Sequence, residues 1–267
     1  MRRKKSLRKK ISLLVGKITM WRKPYWLVRF MIRIFVRFYH IDMSDYNFTI
    51  KRGVSFHDFF TRRLKPGARH VAGAIVSPVD AKIMSFGMAG KTTTIRAKGL
   101  DFVFSELIDC DHHYQDEVSY TVLYLSPADY HRIHAPFDMQ IDEVRHIPGN
   151  LFSVKPKSVQ KREKLYSINE RVLLTGTSAY GRFWIVLIGA FLVGSVKLNF
   201  SSVTTNQRYR KNKTHTAHVS FNAGDEIGHF RFGSTVVMCI HGDLFSKITY
   251  QKGERVLMGE ELVKSLV

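Results

Sequence analysis

Acidic residues are scarce in this chain: 22 Asp and Glu stand against 42 Lys and Arg, a formal net charge of +20. A field of that sign excludes cationic partners and admits two polyanionic ones, nucleic acid and anionic lipid. Cysteine is nearly absent. Cys110 and Cys239 are far apart and form no C-x-x-C pair, which excludes a disulfide framework and a cysteine-rich zinc site and makes a reducing compartment the default. Long apolar runs are missing as well: the stretch from Phe183 to Val196 covers only 14 positions and includes two glycines, so it reads as two buried strands meeting at a turn. "ISLLVG" is too short for the apolar core of a secretory signal, and no small-residue cleavage site follows it. The Arg-rich start also fits an organellar transit peptide, kept as a minor alternative.

Basic residues are concentrated at the start, where thirteen Lys or Arg precede the first acid, Asp42. "RRKKSLRKK" is a solvated run, whereas "WRKPYWLVRFMIRIFVRFYHI" mixes arginines with large apolar groups. On a helix Arg22, Arg29, Arg33 and Arg37 share an arc of about 80°, leaving another face to Trp26, Leu27, Phe30, Met31, Ile34 and Phe38. Three arginines in the middle of a span would each cost about 2.5–3.5 kcal/mol, so the helix is predicted to lie in the plane of an anionic surface. The simpler reading is a helix packed on the protein's own core with its arginines in water. Nucleic acid fits less well, because phosphate tracking does not require so much aliphatic surface on the same helix.

After residue 42 short apolar runs alternate with turn residues, which predicts a β-rich body. "SFHDFFTRRL" reads as a short helix and "KPGARH" as a turn. "FRFGSTVVMCI" reads as one strand interrupted by Gly233-Ser234-Thr235. Three polar islands lie among the apolar runs: "SPVDAKI" around Asp80, "SPADYHRIHAPFD" around His131 and His134, and Gly233-Ser234 itself. Asp, His and Ser are the parts of a nucleophilic triad, but no nucleophile elbow of the G-x-S-x-G kind is present, and chain order alone does not single these residues out.

Six blocks in order, "FFTRRLKPGAR", "YHRIHAPFD", "PGNLFSVKP", "YSINERV", "VLIGAFLVGS" and "GDEIGHFRFGSTVV", resemble the phosphatidylserine decarboxylase proenzyme family. The resemblance implies a pyruvoyl-dependent enzyme that converts phosphatidylserine to phosphatidylethanolamine and CO2. Self-cleavage between Gly233 and Ser234 would give a β chain of residues 1–233 and an α chain of residues 234–267, with the pyruvoyl cofactor made from Ser234. By the same resemblance His134 is the base, Asp80 orients it, and His131 is a supporting, hydrogen-bonding histidine. Asp129 and Asp138 read as turn residues.

This sequence departs from the family pattern at Ala81, where glycine is usual, and at Lys155, where asparagine is usual. "DCDHH" at residues 109–113 and the pair His215 and His218 lack zinc-finger spacing, so no metal is expected. The expected fold is α+β, with N-terminal amphipathic membrane-associating helices followed by a mostly antiparallel, barrel-like β body that has Ser234 near its centre. Residues 1–42 form the membrane-binding segment and 43–267 the catalytic domain. The implied setting is peripheral, on the cytoplasmic face of a bacterial inner membrane, with a homodimer and no nucleic acid. A pyruvoyl enzyme acting on a free amino acid remains the second reading.

Overall fold

The computed structural model describes residues 12, 14–89, 94–97, 100–110, 117–159, 162, 164–190, 195–203, 205, 213–231 and 234–263. Gly233 and residues 111–113 of "DCDHH" lie outside the described residues. Residues 14–19 are helical, and a second helix runs over Tyr25–Tyr39. The short helix Phe56–Phe60 follows, opened by a capping box in which Ser55 accepts from the Asp58 amide and Asp58 from the Ser55 amide. Three further short helices cover Phe104–Ile108, Pro156–Val159 and Leu165–Ile168.

The strands are β1 (Ile75–Val76), β2 (Ala81–Ala89), β3 (Thr94–Ala97), β4 (Leu100–Val103), β5 (Val118–Leu125), β6 (Arg132–His134), β7 (Met139–Ile147), β8 (Arg171–Ser178), β9 (Gly181–Ile188), β10 (Val196–Leu198), β11 (Lys213–Phe221), β12 (Glu226–Phe230), β13 (Ser234–His241), β14 (Arg255–Val256) and β15 (Glu261–Val263). Eight of them form one antiparallel sheet in the order β11-β7-β8-β9-β13-β5-β2-β14. A second, three-stranded sheet has the order β10-β12-β6.

Both faces of the large sheet are covered, which explains why its central strands read as nearly continuous apolar runs. Val236, Met238 and Ile240 of β13 enter one core together with Leu123, Ile185 and Leu187. Val237 and Cys239 enter the other, with Val122, Trp184 and Val186. The small sheet packs on the first face through Ile133, Val196, Leu198, Ile227 and Phe230.

The mostly antiparallel body is as expected, and Ser234 opens a strand in the middle of the large sheet. The barrel-like closure is corrected. Among the described residues the edge strands β11 and β14 do not pair with each other, so the sheet is open. The single strand expected over "FRFGSTVVMCI" is also two. β12 ends at Phe230 in the small sheet and β13 begins at Ser234 in the large one, so the two halves of the run belong to different sheets.

The Tyr25–Tyr39 helix divides its surface three ways. Val28 and Ile32 are buried against Phe56, Phe59 and Phe60, with Phe35 edge-on to Phe56. Trp26, Phe30, Ile34 and Phe38 form a stripe that is 51–72% exposed, and Arg33 and Arg37 are exposed beside it. Packing on the protein's own core and an unpartnered apolar stripe therefore coexist on one helix. Among the described residues no helix is long and apolar enough to cross a membrane.

Candidate active site

Ser234 is fully buried, and its Oγ has no hydrogen-bond partner among the described residues. A buried hydroxyl left unpaired is costly and is found where chemistry requires it or where a partner arrives later. Its backbone is fixed by β5, in which Leu125 lies directly opposite Ser234. Side chains alternate along a strand, so Ser234 points to the same side as Val236, toward the small sheet.

The histidine loop runs beside it. β5 ends at Leu125, opposite Ser234, and β6 begins at Arg132, opposite His229 of β12. Residues 126–131 therefore pass from the large sheet to the small one, and the Phe230 amide donates to His131 O at 2.8 Å. Asp129 shapes the loop as a turn residue, accepting from the Ser126 amide at 2.6 Å and pairing with Arg255 at 2.5 Å. Asp138 serves another turn, accepting from the Ala223 amide at 2.8 Å.

His134 is oriented at both nitrogens. Nδ1 donates to Gly224 O at 2.7 Å, which leaves the lone pair on Nε2, and Nε2 accepts from the Tyr130 hydroxyl at 3.0 Å. Gly224 has φ +87, and a Cβ there would meet Val71 Cγ2 at 2.7 Å, so glycine is needed for the turn that aims this carbonyl. Burial pushes the imidazole below its ordinary value, against the Gly224 hydrogen bond, and keeps His134 a neutral base at neutral pH. Burial raises the Tyr130 phenol, so it remains a donor.

Asp80 is 3% exposed and holds other partners. Oδ1 accepts from the Met258 amide at 2.8 Å and Oδ2 from Arg69 at 3.4 Å, while Arg69 also pairs with Asp45. Burial raises the carboxyl, with the Met258 amide and Arg69 opposing it. No hydrogen bond joins Asp80 to His134 among the described residues. The link between them is backbone, from the His134 amide to Pro78 O at 2.9 Å. The Nδ1 proton that an orienting carboxylate would accept goes to Gly224 O, and Tyr130, which sequence reasoning passed over, holds Nε2. Its only signal was its place four residues before His134 in "YHRIH".

His131 is fully buried under the Phe60 ring, 4.1 Å between centroids. Nδ1 donates to Asp129 O at 2.7 Å, and Nε2 has no partner among the described residues. A hydrogen-bonding role accounts for one nitrogen and leaves the other open. Burial holds this imidazole down at about 3. The departures from the family pattern lie apart from these contacts. Ala81 is buried at the start of β2 and has no positive φ, and Lys155 is exposed.

A buried serine hydroxyl with no partner among the described residues and a neutral histidine held at both nitrogens are groups that nucleophilic and proton-transfer chemistry use. A family model, phosphatidylserine decarboxylase, matches residues 56–264. The phosphatidylserine decarboxylase proenzyme of Psychrobacter arcticus is 32% identical over 268 residues, covering 97% of this chain and 95% of the relative. Those of Polaromonas naphthalenivorans and Brevibacillus brevis are 36% and 34% identical, over 90% and 94% of this chain and 88% and 92% of theirs. The chain belongs to the phosphatidylserine decarboxylase family.

Proposed function

We propose that this protein decarboxylates phosphatidylserine to phosphatidylethanolamine, after cutting itself between Gly233 and Ser234. The observation that carries the reading is the fully buried Ser234 Oγ, without a partner among the described residues, at the first residue of β13. Ser234 Oγ attacks the Gly233 carbonyl carbon and passes its proton to His134 Nε2, which carries a lone pair because Nδ1 is committed to Gly224 and which the Tyr130 hydroxyl must release for the transfer. The peptide becomes an ester. Loss of the residue-234 α proton then breaks the Cβ–O bond, freeing the Gly233 carboxylate, and water converts the new terminus to a pyruvoyl group with release of ammonia.

The family is pyruvoyl-dependent, and a buried site built around Ser234 fits such a group. The carbonyl supplies the electron sink for the pair left on the α carbon when CO2 departs. His134 returns the proton to that carbon, Tyr130 and Gly224 hold the ring in place, and Asp80 fixes the loop before β2 through Met258 and Arg69. His131 supports the loop through Asp129 O.

Attachment to the bilayer is peripheral in this reading and places the chain on a cytoplasmic face, with Cys110 and Cys239 free. Residues 1–42 form the attachment, with the Trp26, Phe30, Ile34 and Phe38 stripe entering the interface and the arginines binding lipid phosphates. Changing Trp26 and Phe30 together to glutamate is expected to cut co-sedimentation with phosphatidylserine vesicles at least tenfold. Unchanged sedimentation would remove the helix from this role.

The test of the function is the denatured mass of purified protein, with and without a carbonyl-trapping reductant. Fragments ending at Gly233 and beginning at residue 234, the second shifted by the reductant, are expected together with CO2 release from phosphatidylserine vesicles. An undivided chain that releases CO2, or a divided one active only on a free amino acid, would overturn it.

A further inference from the structure

The small sheet has a core face and a second face of a different character. Val196, Leu198, Ile133 and Phe230 go into the core. Strand alternation sends Lys197, Arg132, His229 and Arg231 the other way. Register turns three of these into a row: Lys197 lies opposite His229, and His229 lies opposite Arg132. Close approach of β10 to β12 requires Gly228, where a Cβ would come 2.5 Å from Lys197 O. The Phe56–Phe60 helix sets His57 over the row, its ring centroid 6.3 Å from that of His229.

Lys197 and Arg132 flank the His229 ring from the two neighbouring strands, and like charges brought together across a sheet repel unless an anion intervenes. Arg132 has one, Glu226 at 2.6 Å, and its Nε donates to Thr61 O at 2.9 Å. Lys197 and Arg231 have no carboxylate at ion-pair distance among the described residues. Two buried nitrogens, Arg231 Nε and His229 Nδ1, have no hydrogen-bond partner among the described residues. Burial, then Arg132, His57 and Arg231, hold the His229 imidazole down at about 4, and burial, then Arg231, lower His57. The face resists further positive charge and has unused donors.

We propose that this face seats the phosphodiester of the lipid headgroup, with Arg231, Lys197 and His229 as its donors and His57 beside them. The inference rests on the reading of Ser234 given above. Arg231 is three residues before Ser234 in the chain, and His134 is on the same strand face as Arg132, so a phosphate held here lies on the His134 side of the small sheet. Guanidinium and ammonium groups are the donors that recognise a phosphate oxyanion. A lipid, rather than free phosphate, fits the surroundings. The short helix that carries His57 packs Phe56, Phe59 and Phe60 on the same long helix that exposes Trp26, Phe30 and Ile34. Headgroup seat and apolar stripe are thus one helix apart, as the two ends of a phospholipid require.

Glycerophosphoserine, the soluble headgroup, is the probe, titrated calorimetrically at pH 7 into the full chain carrying Ser234→Ala. This form makes no carbonyl, so binding reports the phosphate seat alone, while division of the unaltered chain reports the reading of Ser234. Lys197→Gln and Arg231→Gln are each expected to weaken binding about tenfold, the loss of one charge-assisted hydrogen bond. Lys247→Gln removes an exposed charge elsewhere and leaves affinity unchanged. Equal affinities for all variants, or an equal loss with Lys247→Gln, would overturn the seat. Inorganic phosphate binding as tightly as glycerophosphoserine would overturn its assignment to a lipid.

Discussion

Ser234→Ala is expected to give a chain that never divides and releases no CO2 from phosphatidylserine, yet folds as well as its parent. The hydroxyl removed is buried and makes no hydrogen bond among the described residues, so its loss takes away a desolvation penalty and no contact. The β5 and β9 ladders hold the backbone on both sides of β13 without it. The thermal midpoint of the variant therefore stays within the equivalent of about 1 kcal/mol of the undivided parent. His134→Ala leaves the nucleophile and removes the base, so division slows by about 10²–10⁴-fold. Denaturing electrophoresis over time after purification separates the two. A Ser234→Ala chain that still divides would place the nucleophile elsewhere.

Acid is expected to unfold the undivided chain well above the ordinary carboxylate range, through its buried histidines. His131 titrates at about 3 in the fold, because burial, and then the Arg62 guanidinium, outweigh the Asp129 carbonyl. In the unfolded chain it titrates near 6.5. The folded value is the lower one, so the unfolded chain binds more protons at intermediate pH and stability rises with pH. The contribution is complete above about pH 6.5 and falls away as the pH drops toward about 3, by an amount on the order of 4–5 kcal/mol for this one ring. His134, His57 and His229 act in the same sense. Asp80, raised by burial, acts in the opposite sense in the carboxylate range. Urea denaturation at stepped pH on the Ser234→Ala background measures this, and His131→Gln should flatten the slope between pH 6 and 4. An unchanged slope in that variant would mean that His131 is protonated inside the fold.

What could be read before the structure follows from local rules. β5 and β9 read as nearly continuous apolar runs, and the Phe56–Phe60 helix has its capping box spelled out as Ser55 and Asp58. The resemblance picked out Ser234, His131, His134 and Asp80; the fold puts His131 on the loop after β5, whose last residue lies opposite Ser234, and His134 on β6. Three features were not legible, each because it depends on pairing between distant segments. Alternation is the same in an open sheet as in a closed barrel, so the edges at β11 and β14 could not be foreseen. An apolar run does not reveal that it changes sheets between Phe230 and Ser234. Finally, the row of Lys197, His229 and Arg132 exists only once β10, β12 and β6 are in register, and charge counting along the chain spreads these residues over unrelated segments.

The strand that opens at Ser234 is hydrogen-bonded to β5 along its whole length and to β9 along most of it. A cut at its first residue therefore breaks a covalent bond and leaves every rung from Thr235 onward in both ladders, and the short piece stays clamped in the middle of the sheet. The loss appears only on unfolding. Before the cut, β13 finds its slot as part of one chain; afterwards it must find it by diffusion, as a separate molecule carrying an aggregation-prone stretch, Val236 to Ile240. Folding information thus belongs to the precursor, and the mature enzyme is held in place by a barrier to escape rather than by a path of return.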